Sequence, residues 1–160
     1  MNIFFLDIDP TSAAKALCDK HVVKMTLETA QILSTVQRAA LRDAAHPLLY
    51  KATHANHPCV KWAGSSAAAY HWTLRLFLAL CAEYSFRYGR VHASARLRPL
   101  LVNAPSLPER DWEDPPLCMP DSYKRPGSAV ESYRDYYSND KRRFAAWKKN
   151  RPPPYWWTGE

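Results

Sequence analysis

The chain has 160 residues and a mass of 18.4 kDa, with 47% hydrophobic and 23% charged residues, which suits one domain with its own core and excludes a disordered polymer. A net charge of +7, a pI near 9.3 and six Trp beside nine Tyr point to a polyanionic partner, either nucleic acid or an acidic membrane face. Only four glycines, with no GxGxxG and no Walker sequence, argue against a Gly-rich phosphate-binding α/β domain.

Ile3-Phe4-Phe5-Leu6 reads as a short strand or an extended apolar arm. It has no basic leader and is too short for a signal peptide or a membrane span. Asp9-Pro10 followed by Thr11-Ser12 starts a short helix that runs to about Cys18. Asp19 is placed to cap a longer helix over 20–41. Prolines and histidines over 46–58 make a loop, and a long apolar helix from about 59 to 88 stops at Gly89. A shorter helix covers 91–102. Six prolines within 103–127 forbid a helix or a central strand, so this stretch is an ordered loop wrapped over the body and anchored by Trp112, Leu117 and Met119. Ser128-Ala129-Val130-Glu131 has the pattern of a capping box opening a last helix to about Lys149, before a Pro-Pro-Pro-Tyr-Trp-Trp tail. The expected fold is mostly α: a single compact helical domain over 1–160, with a long central apolar helix and a Pro-rich wrapped loop.

Helix 20–41 carries the chemistry. At about 100° per residue, His21, Lys24, Glu28, Gln31 and Thr35 share an arc of about 80°. Most of the remaining circumference is apolar or small, so the helix is buried and its polar stripe faces a cleft. The alternative is a narrow solvent-facing seam with a Lys24–Glu28 pair. A carboxylate beside a His and a Lys is equipped for general acid/base work. His54 and His57, with Asn56 between them, are secondary candidates in a Pro-bounded loop.

Charge gathers at the other end of the chain. Residues 122–151 hold nine Lys and Arg against three acids, interleaved with Tyr123, Tyr133, Tyr136, Tyr137, Phe144 and Trp147. Cations neutralise phosphates and aromatic faces stack on bases. Cys18, Cys59, Cys81 and Cys118 include no CxxC pair and read as reduced core thiols. The run His54-Ala55-Asn56-His57-Pro58-Cys59 fits no standard zinc spacing, so no metal or other cofactor is expected.

Cys18-Asp19-Lys20-His21-Val22-Val23-Lys24-Met25-Thr26-Leu27-Glu28 resembles the Asp-x-His-x6-Glu helix of phage pyrimidine dimer DNA glycosylases of the endonuclease V type. Over most of its length the chain is also similar to small phage and marine bacterial proteins that carry this label. The likeness lies in Asn2-Ile3-Phe4-Phe5-Leu6-Asp7, His57-Pro58-Cys59, Met119-Pro120-Asp121 with Tyr123-Lys124, and Ser132-Tyr133-Arg134-Asp135-Tyr136-Tyr137. The resemblance implies an all-α protein that acts on a distorted or extruded pyrimidine nucleotide. In that family an amine attacks C1′, a Schiff base forms, and β-elimination cuts the strand. The helix carboxylate corresponds to Glu28 and the helix histidine to His21. The family's nucleophile is the α-amine of a small second residue. Asn2 is a poor substrate for Met removal, which leaves Met1's own amine, Lys24, or an amine from outside the protein. Leu27 and Gln31 stand where the family has arginines.

The expected partner is double-stranded DNA with a damaged or modified pyrimidine. Contacts are expected from Lys20, Gln31, His54, Asn56, His57, Tyr123, Lys124, Arg134, Tyr137, Lys141, Arg142 and Lys148. The expected protein is a cytoplasmic monomer with no membrane partner. Two other functions remain open: a transferase joining a free amino acid, as co-substrate, to activated 5-hydroxymethyluracil in DNA, and a non-catalytic DNA-binding protein.

Overall fold

Asp9 accepts the Ser12 N–H at 2.8 Å and Pro10 sits in the first turn, so helix α1 (Pro10–Ala16) begins where the sequence indicates. The structure, a computed structural model, describes residues 1–158. It contains α1, α2 (Asp19–Leu41), α3 (Pro58–Ala63), α4 (Ala67–Tyr88), α5 (Arg98–Leu101) and α6 (Ala129–Asp140), with no strand among the described residues. No described helix is long and apolar enough to cross a membrane.

The core lies where α2 crosses α4, with α1 laid against α4 and the apolar arm buried beside them; Ile3, Phe5 and Leu6 are fully inaccessible. The arm pairs with no strand among the described residues and bends at Phe4, where the Leu6 N–H donates to the Phe4 carbonyl at 2.8 Å. Its backbone is held instead by the Asn2 side chain, whose Oδ1 accepts the N–H groups of Ile3 and Phe4. The wrapped loop 103–127 is anchored as expected. Trp112 packs on Phe5, Trp62 and Trp72, Trp62 Nε1 donates to the Glu113 carbonyl, and Met119 is buried.

Several local expectations are corrected. The long helix over 59–88 is two helices, because the chain turns at Gly64-Ser65 and Ser66 Oγ caps α4 by accepting the Ala69 N–H. The turn lies close against α2: a Cβ at Gly64 would stand 3.3 Å from Val36 Cγ2. Helix α4 then ends as expected at Gly89, with φ of +66°. The stretch 91–102 is a 3₁₀ turn, Ala93–Leu97, followed by the single turn of α5.

The last helix stops at Asp140. Ser128 makes no side-chain cap, and its carbonyl accepts from Ser132. Beyond α6 the chain instead reaches the α1–α2 junction, where the Ala146 carbonyl accepts the Asp19 N–H at 2.8 Å and Trp147 Nε1 donates to the Ala16 carbonyl at 3.1 Å.

Asp19 likewise is not the cap of α2, a position held by Cys18, but its first residue, and its carboxylate faces a buried arginine. Arg87, fully buried on α4, donates to Glu83 at 2.7 Å, to Asp19 at 3.0 Å, and to the carbonyls of Leu17 and Lys15 at 2.8 and 2.9 Å. Glu83 in turn accepts two bonds from Arg151 in the tail. Removing one member of such a buried network leaves charges without partners, which costs far more than losing an exposed pair. Arg87→Ala is therefore expected to lower unfolding free energy by about 3–5 kcal/mol. Arg125→Ala, which breaks the exposed Arg125–Asp135 pair, is expected to change it by about 1 kcal/mol or less. Urea unfolding of the two variants measures both.

Candidate active site

The start of the chain lies against Glu28. The Asn2 backbone N–H donates to Glu28 Oε2 at 3.2 Å, and Lys24 Nζ stands 3.5 Å from Oε1. The Glu28 side chain is only 14% exposed while that of Lys24 is 62% exposed, so the carboxylate is covered by the arm and the ammonium reaches solvent. Asn2 holds this arrangement rigidly. Besides its two bonds to the arm, its Nδ2 donates to the Cys118 carbonyl of the wrapped loop at 2.9 Å. Phe4 has a left-handed backbone, φ +51°, a strained state for an aromatic residue that the Asn2 bonds and the packing around its ring maintain.

His57, at the start of α3, belongs to the same neighbourhood. Burial holds its pKa below the ordinary histidine range, the amino group at Met1 and His54 push the same way, and Glu28 pulls against them. Cys59 lies two residues further on, with Sγ 3.5 Å from Cys118 Sγ. Cys118, whose N–H donates to Tyr133 Oη, has its thiol lowered to about 7 by the hydrogen bond from Cys59 despite partial burial.

His21 lies behind this surface, not on it. Its ring stacks on Phe4 with centroids 4.7 Å apart, and Nδ1 is 2.7 Å from Tyr137 Oη. That hydroxyl accepts the Cys18 N–H, so its own proton goes to Nδ1 and the imidazole is neutral with its proton on Nε2. The polar stripe therefore divides. His21 and Thr35 turn inward, Gln31 and Glu28 are half-covered, and Lys24 stands in solvent beside the exposed Val23 and Leu27. The cleft expected along α2 is not formed as such: the hollows lined by Arg75, Phe86 and Arg151 and by Val36, Ala55 and Lys61 both leave Glu28 out. Glu28 occupies an open surface seam roofed by the arm.

The basic tail adjoins the first turns of α2. Phe144 lies edge-on to His21, Lys20 stands over the Phe144 ring, and Lys141 stands over Phe4 while donating to Tyr136 Oη at 3.0 Å. Arg142 and Arg143 are exposed there. Lys148 is exposed with its ammonium over Tyr88, His54 and Asn56 are exposed before α3, Tyr123 packs on Tyr136, and Lys124 pairs with Asp121. Tyr137 and Arg134, also expected to touch DNA, are tied into the fold itself. Tyr137 is fully buried in the His21 network, and Arg134 binds the Leu6 carbonyl and Asp7. Sequence reasoning missed Phe4, Asn2 as a clamp, and Cys118. The first two lie in the quoted Asn2-Ile3-Phe4 run, but nothing local marks Cys118.

Burial lowers the His21 pKa to about 4, with Lys141 and Lys24 adding to the effect. Above pH 6.5 the ring is neutral in both folded and unfolded chains. Between 6.5 and about 4 only the unfolded chain takes up the proton, so stability falls as pH drops through that window, by about 3 kcal/mol in full. The His21 ring protons are expected to titrate by NMR with a midpoint near 4. A midpoint in the ordinary histidine range would mean that the ring is open to solvent.

A model of the family described as pyrimidine dimer DNA glycosylase matches residues 1–96, a span that contains the arm, α2 with Glu28, and the His57–Cys59 turn. No curated protein and no solved structure matches the chain. With more than half of its length matched, the chain belongs to the pyrimidine dimer DNA glycosylase family.

Proposed function

We propose that the protein removes a damaged or modified pyrimidine from double-stranded DNA, with Glu28 as the acid/base and the amine at Met1 as the nucleophile. The observation that carries this reading is the Asn2 N–H at 3.2 Å from Glu28, which puts the first residue of the chain beside the carboxylate. The amine forms a bond to C1′ of the target nucleotide as the bond from C1′ to the base breaks, and the base leaves. The amine then loses a proton as the C1′–O4′ bond breaks and O4′ takes one up, which gives the ring-opened Schiff base, and β-elimination removes a C2′ proton and expels the 3′-phosphate to cleave the strand. Glu28 carries protons in these steps and stabilises the cationic sugar, with Lys24 Nζ 3.5 Å from its Oε1. His21, neutral and buried, acts as a positioning residue that supports Phe4 beneath the arm.

Lys20, Lys24, Arg142 and Arg143 present exposed charge around the seam, and Lys148 continues it along the tail. These groups suit phosphates on either side of an extruded nucleotide. His54, Asn56 and His57 supply polar groups at the opposite edge.

One observation favours a second reading. The group bonded to Glu28 is the amide of Asn2, which is not nucleophilic, and the Asn2 side chain is fully engaged. A free amino acid would then bring the attacking amine, as in a transferase acting on activated 5-hydroxymethyluracil.

Borohydride reduction in the presence of abasic-site DNA is expected to trap a covalent complex whose adduct maps to Met1 by peptide mass spectrometry. No adduct under conditions that trap a known lyase would defeat the protein-amine mechanism, and a mass gain on modified DNA incubated with free amino acids would favour the transferase. Glu28→Gln is expected to reduce turnover by about 10²-fold or more while leaving DNA affinity within about threefold. Arg142→Ala and Lys148→Ala are each expected to weaken DNA binding and to reduce the slope of log affinity against log salt by about 1.

A further inference from the structure

We propose that His57, Cys59 and Cys118 form a binding site for a zinc ion, with the fourth position open to water or a substrate atom. Each residue offers one donor atom, and the three donor atoms lie within 4.8 Å of one another. The two sulfurs are 3.5 Å apart. Zn–S bonds of about 2.3 Å at a tetrahedral angle require about 3.8 Å, so the sulfurs need only a small adjustment. Two thiolates and an imidazole are a soft donor set that suits zinc and is unsuited to calcium or magnesium.

The scaffold around the donors is built as a support. His57 caps α3, and its Nδ1 accepts the Cys59 N–H at 3.2 Å, which sets the ring relative to the first sulfur. Cys118 is gripped from both sides: its N–H donates to Tyr133 Oη, itself anchored on the Pro116 carbonyl, and its carbonyl accepts from Asn2. Partners of this kind fix the orientation of metal ligands. Cys59 is fully buried, while His57 and Cys118 are half-buried, so the site is covered on one side and reachable on the other. The donors come from α3 and from the wrapped loop, 59 residues apart in sequence, and the same Asn2 that clamps the arm beside Glu28 holds the loop cysteine. An ion here would fasten the arm, α3 and the wrapped loop together. On binding, the two thiols release their protons to solvent as the two Zn–S bonds form.

The other two cysteines, Cys18 and Cys81, are buried elsewhere and provide internal controls. The whole protein is stripped with a chelator, kept under a phosphine reductant, and titrated with Co²⁺. About one equivalent is expected to bind and give thiolate-to-cobalt absorption that added Zn²⁺ abolishes. Cys59→Ser and Cys118→Ser are each expected to remove that absorption, and Cys81→Ser to retain it. A second measurement uses the unmutated chain: Zn²⁺ is expected to slow alkylation of Cys59 and Cys118 at least about tenfold, leaving Cys18 and Cys81 unchanged. The proposal is overturned if the folded protein gives no thiolate-to-cobalt absorption, if both serine variants keep it in full, or if alkylation is the same with and without Zn²⁺.

Discussion

The guanidinium of Arg87 is the constraint on which the rest of the molecule depends. Buried in α4, it satisfies two carbonyls at the end of α1 and two carboxylates, and each contact fixes a different segment. The carbonyls define where α1 stops, Asp19 defines where α2 starts, and Glu83 passes the restraint to the tail through Arg151. A charge placed so deep would be costly alone, and the density of its partners makes it tolerable. The geometry of α2, and so the position of Glu28 along it, is set from the far side of the core.

The C-terminal segment has two roles that composition alone merges. Ala146 and Trp147 complete the α1–α2 junction, Arg151 completes the Glu83 site, and the cations between and around them are left facing solvent. Part of the basic surplus thus stabilises the fold, and only the remainder is available to a polyanion. The segment reaches α2 at Lys20 and His21, about two turns from Glu28, so charge that is remote in sequence lies on the same helix as the carboxylate.

Much of the architecture was legible because its signals are local. The Asp9-Pro10 start, the Gly89 stop and the proline density of 103–127 each act within a few residues. Ser128-Ala129-Val130-Glu131 has the letters of a capping box, yet Ser132 takes the Ser128 carbonyl and the Ser128 hydroxyl makes no cap. The tail has helical residues but gives its carbonyl to Asp19. Within the candidate site, Glu28 and Lys24 were readable from i, i+4 spacing. The inward turn of His21 was not, because it depends on Tyr137, 116 residues away. Cys118 was invisible for the same reason: its partner at 3.5 Å comes from a different element.

The Asn2 clamp has a consequence for the thermal behaviour of the protein. Its three side-chain bonds restrain the first residues before any DNA arrives, so the ordering entropy of the arm is borne in folding and not in complex formation. The effective concentration of the chain start at Glu28 is therefore a property of the free protein. It should persist nearly unchanged up to the temperature at which the arm detaches, and vanish there abruptly even if the helical core survives.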